Sequence, residues 1–161
     1  MMYLKDLLLT NAFLIKGHIN TGGQRLSTFL NNFPRRFLEI EEVTVMDPVQ
    51  DTHFTTTRML VRVEEIILAH ELEETGDESL RHLAGQDRDD TVANIQFSGT
   101  TPFQLWGKVS TRAIERDSSG QYDFIVVVEP KILGLTNKAQ DVLKDLPYLI
   151  ANKSRMALIL E

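Results

Sequence analysis

Five residues of the chain carry groups suited to a polyanion: Phe29, Asn31, Arg35, Arg36 and Arg62. Grouped as a loop, the phenylalanine would stack on bases and the arginines would neutralise phosphates, the contacts on which single-stranded nucleic-acid binding rests. The plainer alternative places Phe29 in a core and leaves the arginines to solvate a turn, and the sequence favours it. His18, His53, His70 and His82 fall in different elements without metal-ligand spacing, although Glu71 and Glu73 make the surroundings of His70 rich in carboxylates; no metal site is expected. The pairs Glu41-Glu42 and Glu64-Glu65 are adjacent on strands or tight turns, so their carboxylates point apart and need not share a proton. Ser118-Ser119-Gly120 lacks the flanking glycine of a nucleophile elbow, and Gly22-Gly23 lacks the spacing of a phosphate loop, so both read as turns. No catalytic residue and no cofactor is expected. If Phe103 and Leu105 face one side of a strand, Trp106 faces the other, where a partner subunit or the linker would cover it; plain core packing is the alternative.

These residues sit on a chain that resembles itself. Phe13-Leu-Ile-Lys-Gly-His-Ile19 recurs as Phe103-Gln-Leu-Trp-Gly-Lys-Val109, 90 positions later. The same offset relates the apolar run Met59 to Leu68 to the run Leu149 to Leu158. One small module used twice explains both echoes. We therefore divide the chain into a first module (residues 1–72), an acidic, partly helical linker (73–90) and a second module (91–161). The formal charge of −6 belongs mostly to the linker, which holds 2 basic and 7 acidic side chains against 7 and 9 in the first module and 8 and 7 in the second. Nearly neutral modules argue neither for nor against a polyanion partner.

At 161 residues, with 42% hydrophobic and 25% charged, the chain has an ordinary globular composition. It has no cysteine, so each module must hold by packing alone, and a reducing cytoplasm is the expected compartment. Met1 to Leu9 is apolar but carries Lys5 and Asp6, and no uncharged stretch reaches the roughly 20 residues of a membrane span. No membrane association is expected.

Strand-like runs occur at Ala12 to Ile19, Phe37 to Met46, Arg58 to Val63 and Ile66 to Ala69, and again at Val92 to Phe97, Phe103 to Thr111, Phe124 to Leu133 and Tyr148 to Leu160. Gly17 and Gly107 lie inside the strands of the repeated block, where a missing side chain marks a sharp bend or a close backbone approach. Leu26, Phe29 and Leu30 are spaced for a helical turn before Pro34, and Asp117-Ser-Ser-Gly120 is a hairpin turn. A helix without counterpart is predicted over 137–146, with Asn137 as N-cap and Pro147 as its stop.

The order of Leu26-Ser-Thr-Phe-Leu-Asn31, the strand Phe37-Leu-Glu-Ile-Glu-Glu-Val43 and the run Leu60-Val-Arg-Val-Glu-Glu-Ile66 resembles the two motifs of Sm-like domains across residues 7–72. Ser27 stands where that family has Asp, the stretch Asn32 to Arg36 intervenes before the strand, and Val63 replaces a Gly. The resemblance implies Phe29 for base stacking, Asn31 for a base edge and Arg62 for phosphate. Any such pocket would be confined to the first module, since residues 110–123 lack the motif and Asn152 stands in place of the arginine. Gly17-His-Ile, with Arg25-Leu-Ser-x-Phe-Leu-Asn31 and Arg36-Phe-Leu-x-Ile40, is also similar to an uncharacterised bacterial domain family of unknown function.

The expectation is an all-β protein with minor helix, built as two small, strongly bent Sm-like β-barrels in tandem. Open edge strands need partners, so a homo-oligomer or closed ring and a non-enzymatic structural or interaction role follow. RNA binding through the first module's loop is the alternative.

Overall fold

A computed structural model describes residues 6–10, 13–47, 50–72, 90–97, 99, 102–110, 123–135 and 137–160. The first half holds β1 (Asp6–Thr10), β2 (Leu14–His18), helix α1 (Leu26–Asn32), β3 (Phe37–Asp47), β4 (Thr52–Arg62), a 3-10 turn at Val63–Glu65 and β5 (Ile66–Glu71). The second holds β6 (Asp90–Phe97), β7 (Phe103–Ser110), β8 (Phe124–Leu133), helix α2 (Asn137–Leu143), β9 (Tyr148–Asn152), a 3-10 turn at Lys153–Arg155 and β10 (Met156–Leu160). The protein is all-β with minor helix.

All ten strands belong to one antiparallel sheet of order β10-β6-β7-β8-β9-β5-β1-β2-β3-β4. Each half contributes five strands in the same order, its fifth, first, second, third and fourth. The halves join where the fourth strand of the second, β9, pairs with the fifth strand of the first, β5. The sheet is therefore one open surface ending at β10 and β4 rather than two closed barrels. The physical reason is the joint itself: β9 and β5 satisfy each other's backbone, leaving the outermost strands at the ends.

The repeat extends to fine detail. Glu42 and Glu129 both adopt positive φ, at 52° and 53°. Val63 N–H donates to Arg36 O at 2.8 Å, and Lys153 N–H donates to Asp123 O at 2.6 Å. The pairing register slips at Gly17 and again at Gly107. A Cβ on Gly17 would stand 2.5 Å from Ile40 Cγ2 and 3.0 Å from Glu41 O, and one on Gly107 would collide with Val127 Cγ1. These strands fold so closely over their neighbours that no side chain fits at the bulge. Gly17→Ala and Gly107→Ala should each destabilise by about 1–3 kcal/mol through overpacking. A urea midpoint unchanged from the parent in either variant would contradict this close approach.

Two cores lie on opposite faces of the sheet. Leu8, Ile15, Leu26, Leu30, Leu38, Ile40, Val43 and Val61 of the first half form one; Ile95, Phe97, Phe103, Leu105, Val109, Val127 and Leu143 of the second form the other. The strands at the joint serve both. On β1, Leu7 and Leu9 enter the second core while Leu8 enters the first; on β9, Leu149 and Ala151 enter the second while Tyr148 and Ile150 enter the first. The face that is inside for one half is outside for the other. That explains why β5 and β9 are buried at every residue and read as continuous apolar runs instead of alternating ones.

Several expected boundaries move. β4 begins at Thr52, not Arg58, because the polar segment Thr52 to Thr57 pairs with Val43 to Asp47 as the outermost strand and carries no burial signature of its own. α2 ends at Leu143, short of the expected 146, and Ala139 and Leu143 cover the second core. Asp90, assigned to the linker, opens β6. The rest of the linker, the turn Asp117 to Gly120, Glu73 and His82 lie outside the described residues.

Candidate functional site

The internal joint shows what an occupied sheet edge looks like in this protein. Leu68 lies opposite Ala151 and Ala69 opposite Ile150. Asn152 Nδ2 donates to Ile66 O at 2.9 Å, and the guanidinium of Arg155 donates to Glu65 at 2.7 Å. The rings of His70 and Tyr148 are 4.7 Å apart, centroid to centroid. From α1, Asn31 reaches across and clamps the start of β8: its Nδ2 donates to Phe124 O at 2.9 Å and its Oδ1 accepts from Phe124 N at 2.8 Å.

The two ends of the sheet carry the same positions without neighbours. Phe37 lies opposite Arg62 as Phe124 lies opposite Asn152, so the two phenylalanines correspond. Phe124 is 5% exposed and Phe37 53%. By the 90-residue offset Leu60 corresponds to Ile150, and they are 56% and 1% exposed; Leu158 corresponds to Leu68, at 59% and 0%. Leu160 on β10, opposite Asn94, is also exposed. Three large apolar side chains, Leu60, Leu158 and Leu160, thus line the two outermost strands at positions whose counterparts Ile150, Leu68 and His70 are buried, and Phe37 stands exposed on the neighbouring strand β3 opposite Arg62. Strand edges of natural proteins are ordinarily protected by charge or cover; β4 carries the exposed Arg58 and Arg62 on either side of Leu60, whereas β10 carries no charge at all.

The residues grouped for RNA divide into two sets. Phe29 packs against the first core with its ring 5.3 Å from that of Phe33, and the amide of Asn31 is committed to Phe124. Arg35 and Arg36 are exposed on the turn before β3, and the bond from Val63 N to Arg36 O sets that turn beside Arg62. Arg62 pairs with Glu64 at 3.3 Å. Sequence reasoning overlooked Phe37, although Leu38 and Ile40 as inward residues of β3 already placed it on the outer face. Trp106 is exposed on β7 between Asn94 and Lys131. Among the described residues no cluster of potential metal ligands occurs, and no helix is long and apolar enough to cross a membrane.

No family model, curated protein or solved structure matches this chain.

Two buried carboxylates brace the joint from the first half. Asp6 lies opposite Glu71 across β1 and β5; Asp6 accepts from Ile19 N–H at 3.1 Å, and Glu71 accepts from Leu26 N–H, the start of α1, at 3.1 Å. With α1 anchored in this way, its Asn31 meets β8. Asn31→Ala should cost about 1–3 kcal/mol, because the Phe124 N–H and C=O lose their partner. An unaltered denaturation midpoint would show that the clamp contributes nothing.

Proposed function

We propose that the protein is a non-catalytic assembly module whose copies join head to tail, β10 of one chain adding to β4 of the next in the register of the internal joint. The observation that carries this reading is the exposure of Leu60 on β4 and Leu158 on β10, the outermost strands, at positions whose counterparts Ile150 and Leu68 are buried at the joint. Applying the repeat offset to Leu68–Ala151 and Ala69–Ile150 gives Leu158 opposite Val61 and Ile159 opposite Leu60 between chains. Burial of a Leu or Phe side chain contributes about 1.5–3 kcal/mol, so each such contact supplies a substantial drive toward association. A head-to-tail contact either closes into a ring or propagates as a fibre. The bent modules and the Sm-like resemblance support closure: a ring of six modules holds three chains of 18.3 kDa, about 55 kDa in all.

Size-exclusion chromatography with light scattering tests it. A particle of about 55 kDa is expected, and a single chain of 18.3 kDa at all concentrations would overturn it. RNA binding is the lesser reading: Arg35, Arg36 and Arg62 gather at one end of β3 and β4, while the amide of Asn31 is occupied. The same chromatogram separates the two, since copurifying RNA would raise absorbance at about 260 nm across the protein peak and fall away with salt.

A further inference from the structure

We infer that Arg155 is shared between two Glu65 carboxylates, one of its own chain and one of the next, so that an alternating circle of glutamate and arginine selects the order of modules. This deepens, and rests on, the head-to-tail reading above. Glu65 and Arg155 each end the 3-10 turn that links the fourth and fifth strands of their module. They are the same position of the two repeats, 90 residues apart, and they touch: Arg155 Nη2 lies 2.7 Å from Glu65 Oε2. A residue that meets its own counterpart across a joint would face a like charge if the repeats were identical. Here the two copies carry opposite charges.

In the head-to-tail array, the turn after β4 of one chain comes to lie beside the turn before β10 of the next, as the turns after β9 and before β5 lie at the internal joint. Glu65 and Arg155 would then meet again between chains. Arg155 is ready for a second acceptor. Its Nη2 is bonded to the Glu65 of its own chain, and the side chain nevertheless keeps 26% of its surface exposed. A guanidinium offers several donors in a planar fork and can serve two carboxylates, which an ammonium point charge does less well. The device also discriminates: first module against first module would oppose two glutamates, and second against second two arginines, so only alternating modules fit.

The test is a dilution series by mass photometry on the full chain at low salt. Glu65→Arg and Arg155→Glu should each raise the dissociation constant of the assembly at least about tenfold, and the double charge swap should return it to within about threefold of the parent. Arg155→Lys should keep the melting temperature of the single chain but still weaken the assembly, because one ammonium replaces the fork. Single substitutions that leave dissociation unchanged in an assembly of parental mass would overturn the shared arginine while leaving head-to-tail pairing intact. So would a double swap as weak as the single changes. A parent that is a single chain at every concentration would instead overturn the head-to-tail reading, and this inference with it.

Discussion

Leu60→Lys and Leu158→Lys will each convert the assembly into single chains of 18.3 kDa. Leu60 sits on β4 and Leu158 on β10, and both are more than half exposed in the chain, so lysine there costs the isolated fold little. Between chains the same position would be buried like Ile150 or Leu68, where an ammonium has neither water nor a partner. A lysine on an edge strand is also the device by which natural sheets refuse a further strand. The polarity of the contact adds a sharper result. The Leu60→Lys chain retains an intact β10 and the Leu158→Lys chain an intact β4, so an equimolar mixture will form a one-to-one pair of about 37 kDa that neither forms alone. Association of Leu158→Lys with itself would mean that β4 pairs with β4, an isologous contact, and head-to-tail assembly would be wrong. Circular dichroism of both variants should match the parent, which separates lost assembly from lost folding.

Asp6→Asn will stabilise the protein at pH 8 and remove much of its loss of stability between pH 4 and 7. Burial raises the carboxyl of Asp6 from its ordinary 3.8 to about 7; the hydrogen bond from Ile19 N–H opposes the rise, Glu71 adds to it, and His18 partly offsets it. Between those two values the folded protein holds a proton that the unfolded chain has released. The stabilisation from this group is therefore complete below about pH 4 and is lost as pH climbs through 7. A rise of about 3 units corresponds to about 4 kcal/mol at most. Asparagine keeps an oxygen for Ile19 N–H and presents a neutral amide to Glu71, so residue 6 no longer carries a buried charge at high pH. Urea unfolding of parent and variant at pH 4 and pH 8 measures it. Parallel pH profiles would show that Asp6 titrates as an exposed carboxylate does.

Much of the fold was legible because it is written in local pattern. Gly17 and Gly107 announced a close approach, and each proves to sit at a bulge where a Cβ would strike the neighbouring strand. The turn and spacing before Pro34 announced α1. The Thr52 to Thr57 half of β4 was not legible, since the end of an outermost strand that buries none of its side chains leaves no apolar alternation to read. The roles of Asn31 and Phe37 were hidden for a different reason. Asn31 bonds to a residue 93 positions away, and Phe37 is exposed although it has its partner strand, whereas its counterpart Phe124 is buried and clamped by Asn31 from the other half.

By itself, then, the sequence determined that the chain is β-rich, that it is a duplication, and where its tightest bends fall, because backbone sterics and hydrophobic period act over a few neighbouring residues. Only the tertiary structure decided that β9 pairs with β5, that the two cores occupy opposite faces of one sheet, and that the sheet stays open at β4 and β10. The reason is that burial belongs to a strand's neighbour as much as to the strand. Leu60 and Ile150 are the same position of the same repeat, and one is in solvent while the other is in a core because a fifth strand lies beside β9 and none lies beside β4.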